Sequence, residues 1–161
     1  RRGTVGEAAF AADAREAVLR AHREFGSPLV VIGESLGAGV AASALAGGEL
    51  PVAGLWLITP WDRLASVAAH HYRWLPVEWL LRDRYESVAH LSRYRGPVLV
   101  MLAERDGIVP ARFGRALFEE LPDPKRLVVV EGADHNDWIG RVDARLWREA
   151  AGFVLGGAGA R

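Results

Sequence analysis

Residues 29 to 41, Leu-Val-Val-Ile-Gly-Glu-Ser-Leu-Gly-Ala-Gly-Val-Ala, constrain the fold more than any other stretch of this sequence. An apolar, β-branched run passes through a serine with glycines two places before and after it (Gly33, Ser35, Gly37) into a segment of small residues. A strand that becomes a helix within so few residues brings the flanking positions together, and glycine at both is expected to make the room. Ser35 then stands at the carboxyl end of a strand and the amino end of a helix, where free N–H groups and the helix dipole favour an anion. Two plainer readings compete. Gly37-Ala38-Gly39-Val40-Ala41-Ala42 fits a loose dinucleotide fingerprint, but its glycines start four residues after Gly33, and no acidic residue closes the next strand near Ile58-Thr59. The other is an ordinary Gly-rich turn, and the remaining chain bears on that.

Before this stretch, Thr4 and Glu7 have capping-box spacing, and Phe10, Ala14, Ala17, Val18, Ala21 and Phe25 recur at helical intervals up to Gly26. Pro28 to Ile32 read as a strand apolar on both faces, the mark of a parallel strand covered by helices on each side. The helix after Ser35 runs to a Gly47-Gly48 stop. Val52 to Thr59 form a second buried strand, Pro97 to Ala103 a third and Lys125 to Val130 a fourth. A helix with Phe113, Leu117 and Leu121 on one stripe separates the last two. A final helix turns Val142, Leu146, Ala150 and Phe153 inward.

Residues 60 to 95 are too long for a simple crossover and hold helical patterns of their own, over Arg63 to Tyr72, Pro76 to Arg84 and Ser87 to Tyr94. Tyr72, Trp74, Leu75, Trp79, Leu80 and Leu81 are expected to cluster and pack this insert onto the sheet; a cap that receives a hydrophobic substrate group is the functional alternative. The expected architecture is α/β: a parallel sheet of about four strands with flanking helices, one domain over residues 1–155, a helical insert at 60–95 and a disordered tail at 156–161.

Composition removes several classes of function. Formal net charge is zero and no basic run is interleaved with aromatics, which gives a nucleic-acid partner no electrostatic support. The absence of cysteine removes disulfides, thiol nucleophiles and Cys-based zinc sites. His70, His71 and His90 lack carboxylates at ligand spacing, so no metal and no cofactor is expected. The apolar runs fall short of the roughly 18 residues of a membrane span, and residues 1 to 25 lack a signal-peptide core. No membrane anchor is visible and the default compartment is the cytoplasm.

Ligands of parallel sheets lie at the carboxyl ends of the strands. Ser35 follows the first strand, Asp106 the third and His135 the fourth, so the topology brings three distant residues to one edge. A serine hydroxyl becomes a nucleophile when a base takes its proton, an imidazole titrates near enough to neutrality to take and return it, and a carboxylate on the other ring nitrogen fixes the tautomer. Asp62, after the second strand, competes with Asp106 for the carboxylate role. Glu104 and Asp134 are weaker rivals, one still in the strand end and the other too close to His135 in sequence to reach its ring.

Gly33-Glu34-Ser35-Leu36-Gly37, Asp106-Gly107-Ile108-Val109-Pro110 and Gly132-Ala133-Asp134-His135-Asn136-Asp137 resemble the three catalytic stretches of α/β-hydrolase-fold serine hydrolases, most closely the abhydrolase-domain-containing branch. The resemblance implies an esterase, lipase or thioesterase that cleaves a small-molecule ester or thioester with an apolar acyl group. Ser35, His135 and Asp106 would be its triad, the Leu36 N–H one oxyanion donor, and Trp61, Trp74, Trp79 and Ile108 its substrate contacts. It also implies further strands, with a second oxyanion donor, preceding this sequence, so the strand before Ser35 is expected to be an open edge completed by an amino-terminal segment or another chain. A peptidase of the prolyl-oligopeptidase type shares the order Ser, Asp, His; a non-catalytic module of the same fold is the remaining alternative.

Overall fold

The computed structural model describes residues 5–47 and 49–156. Four apolar segments, β1 (Val30–Glu34), β2 (Gly54–Ile58), β3 (Val98–Ala103) and β4 (Lys125–Val130), pair as a parallel sheet in the order β1-β2-β3-β4. The register aligns Ile32 with Trp56, Leu57 with Val100 and Met101 with Val128, and all four carboxyl ends collect along one edge of the sheet. Every residue of β2 and β3 is buried, which is why these two strands are continuously apolar instead of alternating.

Alternate side chains feed two cores. On one face Leu55, Leu57, Val98, Val100 and Leu102 meet Ala38, Ala41 and Ala42 of α2 (Leu36–Ala46), together with Leu91 and Leu117 from two further helices. On the other, Trp56, Ile58, Leu99 and Met101 meet Trp138 of a 3-10 helix (Trp138–Arg141), Val142 just after it, and Ala150 and Val154 of the final helix (Ala144–Val154). That final helix lies over β2 and β3. Over β1, Ile32 is therefore 56% exposed, against the expectation that helices cover both faces of this strand. β1 is an outer strand and, among the described residues, its far side has no pairing partner, as expected.

The first helix, α1 (Glu7–Phe25), starts differently from the expected capping box. Thr4 lies outside the described residues, and Glu7 is the first helical residue. Its N–H is satisfied by Asp83 Oδ1 at 3.0 Å, from 76 positions away in sequence. The Glu7 carboxylate returns the exchange by accepting from the N–H groups of Arg84 and Tyr85, both at 3.0 Å, and from Ser43 Oγ at 3.0 Å. Small residues make the docking of α1 on α2 possible: Ala11 is buried and Arg15 Nη1 donates to the carbonyl of Ala44. Phe10 and Phe25, expected on the inner stripe, are exposed, since the buried face runs through the smaller Ala11. Gly48 and residues 157–161 of the expected tail also lie outside the described residues.

The insert contains α3 (Leu64–His71), α4 (Val77–Leu80), α5 (Ser87–Leu91) and, beyond β3, the chain continues into α6 (Ala111–Glu120). The helix expected over Pro76 to Arg84 is a single turn, because Asp83, Arg84 and Tyr85 are drawn into extended contact with the start of α1. The expected aromatic cluster does not form either. Tyr72, Trp74, Trp79 and Leu80 are exposed, Trp79 to 90%, and the insert is held instead by Trp61, Val67, Tyr85 and Val109. One turn of helix cannot align an apolar stripe, so Val77 alone of α4 is buried.

Between β1 and α2 the chain reverses at Ser35, whose φ of 51° is left-handed and unusual for a residue with a side chain. The Ser35 N–H is held by the carbonyl of Ile58 at 2.9 Å. The two flanking glycines have different standing. A Cβ on Gly33 would lie 2.5 Å from the carbonyl oxygen of Gly37 and 2.8 Å from Cα of Ala38, whereas a Cβ on Gly37 would meet nothing within 4 Å. Room is needed on the strand side only, which corrects the expectation of crowding on both. Gly33→Ala is therefore expected to destabilise the full-length protein by about 3 kcal/mol, as backbone must move. Gly37→Ala should be neutral or stabilising by about 0.5–1 kcal/mol, from helix propensity. Urea unfolding midpoints of the two variants distinguish them, and equal losses would refute the asymmetry.

Candidate active site

The carboxyl ends of β1, β3 and β4 bring Ser35, Asp106 and His135 together. Ser35 Oγ lies 3.1 Å from His135 Nε2, and His135 Nδ1 lies 2.7 Å from Asp106 Oδ2. A carboxylate can only accept, so Nδ1 carries the proton toward Asp106 and Nε2 is left as acceptor for the serine hydroxyl. Asp106 and His135 are 6% and 7% exposed, in surroundings where hydrogen bonds of this kind are strong and water competes little. Asp106 Oδ1 is fixed in turn by the N–H groups of Ile108 at 2.9 Å and Val109 at 2.7 Å. Both oxygens of the buried carboxylate are thus satisfied, one by the loop that carries it and one by the imidazole.

The rivals for the carboxylate role are engaged elsewhere. Asp62 Oδ2 accepts from Ser66 Oγ and pairs with Arg63 on the insert. Glu104 accepts from the N–H of Gly132. Asp134 Oδ1 accepts from the N–H of His135 at 2.7 Å and of Gly107 at 3.1 Å, which joins the loops after β3 and β4 without touching the imidazole. Sequence reasoning left this joining role out, because a loop aspartate of this kind leaves no periodic signal.

Leu36 begins α2, so its N–H points out of the first turn unclaimed by the helix's own carbonyls, beside Ser35. Of the expected substrate contacts, Ile108 is half exposed, and its carbonyl is 2.7 Å from Nε2 of His71, tying the end of α3 to the Asp106 loop. Trp61 is buried beneath that loop with Val109, and Trp74 and Trp79 stand in the open on the insert. Among the four, Ile108 is nearest in sequence to the Ser35–His135–Asp106 chain, two residues after Asp106.

The carboxyl of Asp134 is held below the usual carboxylate range, first by the His135 N–H and then by that of Gly107. A depressed value in the folded state means these bonds act fully above the ordinary Asp value of about 3.9 and are lost as pH falls through the folded one. Asp134→Asn should accordingly lower the thermal midpoint of the full-length protein at neutral pH, with the gap to wild type closing in acid. A gap that stays constant from neutral to acid would contradict this role.

No family model matches the chain. "Uncharacterized protein Rv2307c" of Mycobacterium tuberculosis is 43% identical over 109 residues, 68% of this chain and 38% of its own length. "Lysophosphatidylserine lipase ABHD12" of Danio rerio is 31% identical over 116 residues, 62% of this chain and 30% of the relative. The chain thus spans well under half the length of these curated relatives. Among solved structures, the esterase domain of a Rhodothermus marinus protein superposes with a TM-score of 0.67 at 21% identity, over 88% of this chain and 67% of that one. With four parallel strands and helices on both faces, the chain has a partial α/β-hydrolase fold.

Proposed function

We propose that the protein is a serine hydrolase that cleaves a carboxylic ester or thioester through an acyl-enzyme. The observation that carries this reading is the continuous chain from Ser35 Oγ through His135 to Asp106, at 3.1 Å and 2.7 Å. Ser35 Oγ attacks the acyl carbon while its proton passes to His135 Nε2, and the Asp106 carboxylate stabilises the imidazolium that results. Charge builds on the former carbonyl oxygen, and the Leu36 N–H at the start of α2 donates a hydrogen bond to it. The tetrahedral intermediate collapses, the leaving alcohol or thiol takes the proton from Nε2, and the acyl group remains on Oγ. Water then repeats the sequence, giving its proton to Nε2 and its oxygen to the acyl carbon, and Ser35 is released with the acid product.

The names of the lipase relative and of the esterase domain support acyl transfer to water as the reaction class. An apolar acyl group is favoured by the exposed Leu36 and Ile108 flanking the serine and the Asp106 loop. With the full-length protein, a fluorophosphonate should label wild type at neutral pH and fail to label Ser35→Ala. Asp106→Asn, which leaves the shape intact but spoils the tautomer, should reduce kcat on a short-chain ester on the order of 10³- to 10⁴-fold. Labelling that persists in Ser35→Ala would overturn the reading.

A further inference from the structure

Ser35 and His135 come from the two outer strands of the sheet, β1 and β4. Three strand spacings of roughly 4.8 Å lie between those strands, so the loop after β4 travels about 14 Å sideways before its imidazole can meet the hydroxyl. The first half of that loop is fastened to the end of β3. Arg105 N–H donates to the Ala133 carbonyl at 2.8 Å, Gly132 N–H to Glu104 Oε2 at 2.8 Å, and Asp106 holds the imidazole itself. These bonds set the distance of His135 from β3. They leave its approach to β1 open.

Among the described residues, the hydrogen bonds from this loop to the end of β1 are two: the Ser35–His135 contact and one other. The indole Nε1–H of Trp138 donates to Glu34 Oε1 at 2.8 Å, across 104 positions of sequence. Glu34 is the last residue of β1 and adjoins Ser35; Trp138 follows His135 by three residues and is 4% exposed. The Trp138 ring is itself seated against Trp147 of the final helix, 6.1 Å between centroids. An indole has a single donor and a carboxylate only accepts, so the bond admits one arrangement and is strengthened by charge. The contact it supports is demanding, since a shift of about 1 Å at Ser35–His135 would break a productive hydrogen bond.

We propose that Glu34 and Trp138 form a tie that positions His135 over Ser35, closing the loop against β1 just as Asp106 closes it against β3. The tie rests on the reading of Ser35 as nucleophile and deepens it by naming two positioning residues outside the triad. Glu34 occupies the variable place before the serine in G-x-S-x-G, and here that place is a specific acceptor.

The test uses the full-length protein with a short-chain ester. Glu34 is exposed, so its substitution opens no cavity. Glu34→Ala should lower kcat about ten- to a hundredfold, with KM changed by less than about twofold. Glu34→Gln, whose amide oxygen still accepts the indole N–H, should recover most of the loss. Trp138→Phe should reproduce the defect, and the double variant should be no worse than either single one; if Trp138→Phe does not fold, the two Glu34 variants decide. Amide hydrogen exchange over residues 132–141 reads the tie without activity, and should quicken in Glu34→Ala but not in Glu34→Gln. Unchanged kcat and exchange in Glu34→Ala, additive losses, or a Glu34→Gln as impaired as Glu34→Ala would overturn the proposal. A wild type without Ser35-dependent labelling would instead refute the hydrolase reading, while the exchange result would still decide whether the tie holds the loop.

Discussion

The absence of a side chain on Gly33 is the constraint from which the site follows. The carbonyl of Gly37 occupies the space a Cβ would take, so α2 can begin almost in contact with the end of β1. That closeness forces the reversal at Ser35 into a left-handed conformation and leaves the serine at the crest of the turn. It also stands the first N–H groups of α2 beside the hydroxyl. Sheet pairing then fixes the crest laterally, since the Ser35 N–H is bonded to the end of β2.

The other two residues owe their position to loops that satisfy their own backbone. Asp106 accepts through one oxygen from the N–H groups of Ile108 and Val109, which leaves the other oxygen free to face the imidazole. Asp134 binds the loop of His135 to the loop of Asp106 by backbone N–H groups on each side. A buried carboxylate without such partners would be strongly disfavoured, so the small hydrogen bonds around Asp106 are conditions for its presence at the site.

Most of the sheet could be read in the sequence, and so could the meeting of Ser35, Asp106 and His135 at its carboxyl edge, because each followed an apolar run that read as a buried strand. β4 matches the expected Lys125 to Val130, while β1 lies two residues later than expected, and Leu29 ahead of it bonds through its carbonyl, which accepts from the Ala53 N–H at 2.7 Å. Local periodicity failed where distant partners decided the outcome. Glu7 has the spacing of a capping residue but is used by Arg84 and Tyr85, and the turn of α4 stops where that contact begins. The Trp138–Glu34 bond was invisible for the same reason: each residue looks ordinary until the β4 loop is laid across the sheet. The aromatic residues of the insert misled because tryptophan so often signals burial, and Trp74 and Trp79 are exposed.

The exchange between α1 and the insert restricts how the molecule can move. Asp83 supplies an acceptor for the first turn of α1, and Glu7 supplies acceptors for Arg84 and Tyr85. At the other root of the insert, Arg63 bridges to Glu86, and the Leu64 N–H donates to the Arg84 carbonyl. Swinging residues 83–86 outward would strip α1 of its cap and expose backbone groups on both partners at once. The span between these anchors, residues 64–82, is fastened along its length as well, by buried Val67 and by His71 Nε2 at the Ile108 carbonyl, so a displacement of the insert would be felt at the Asp106 loop and at α1 together.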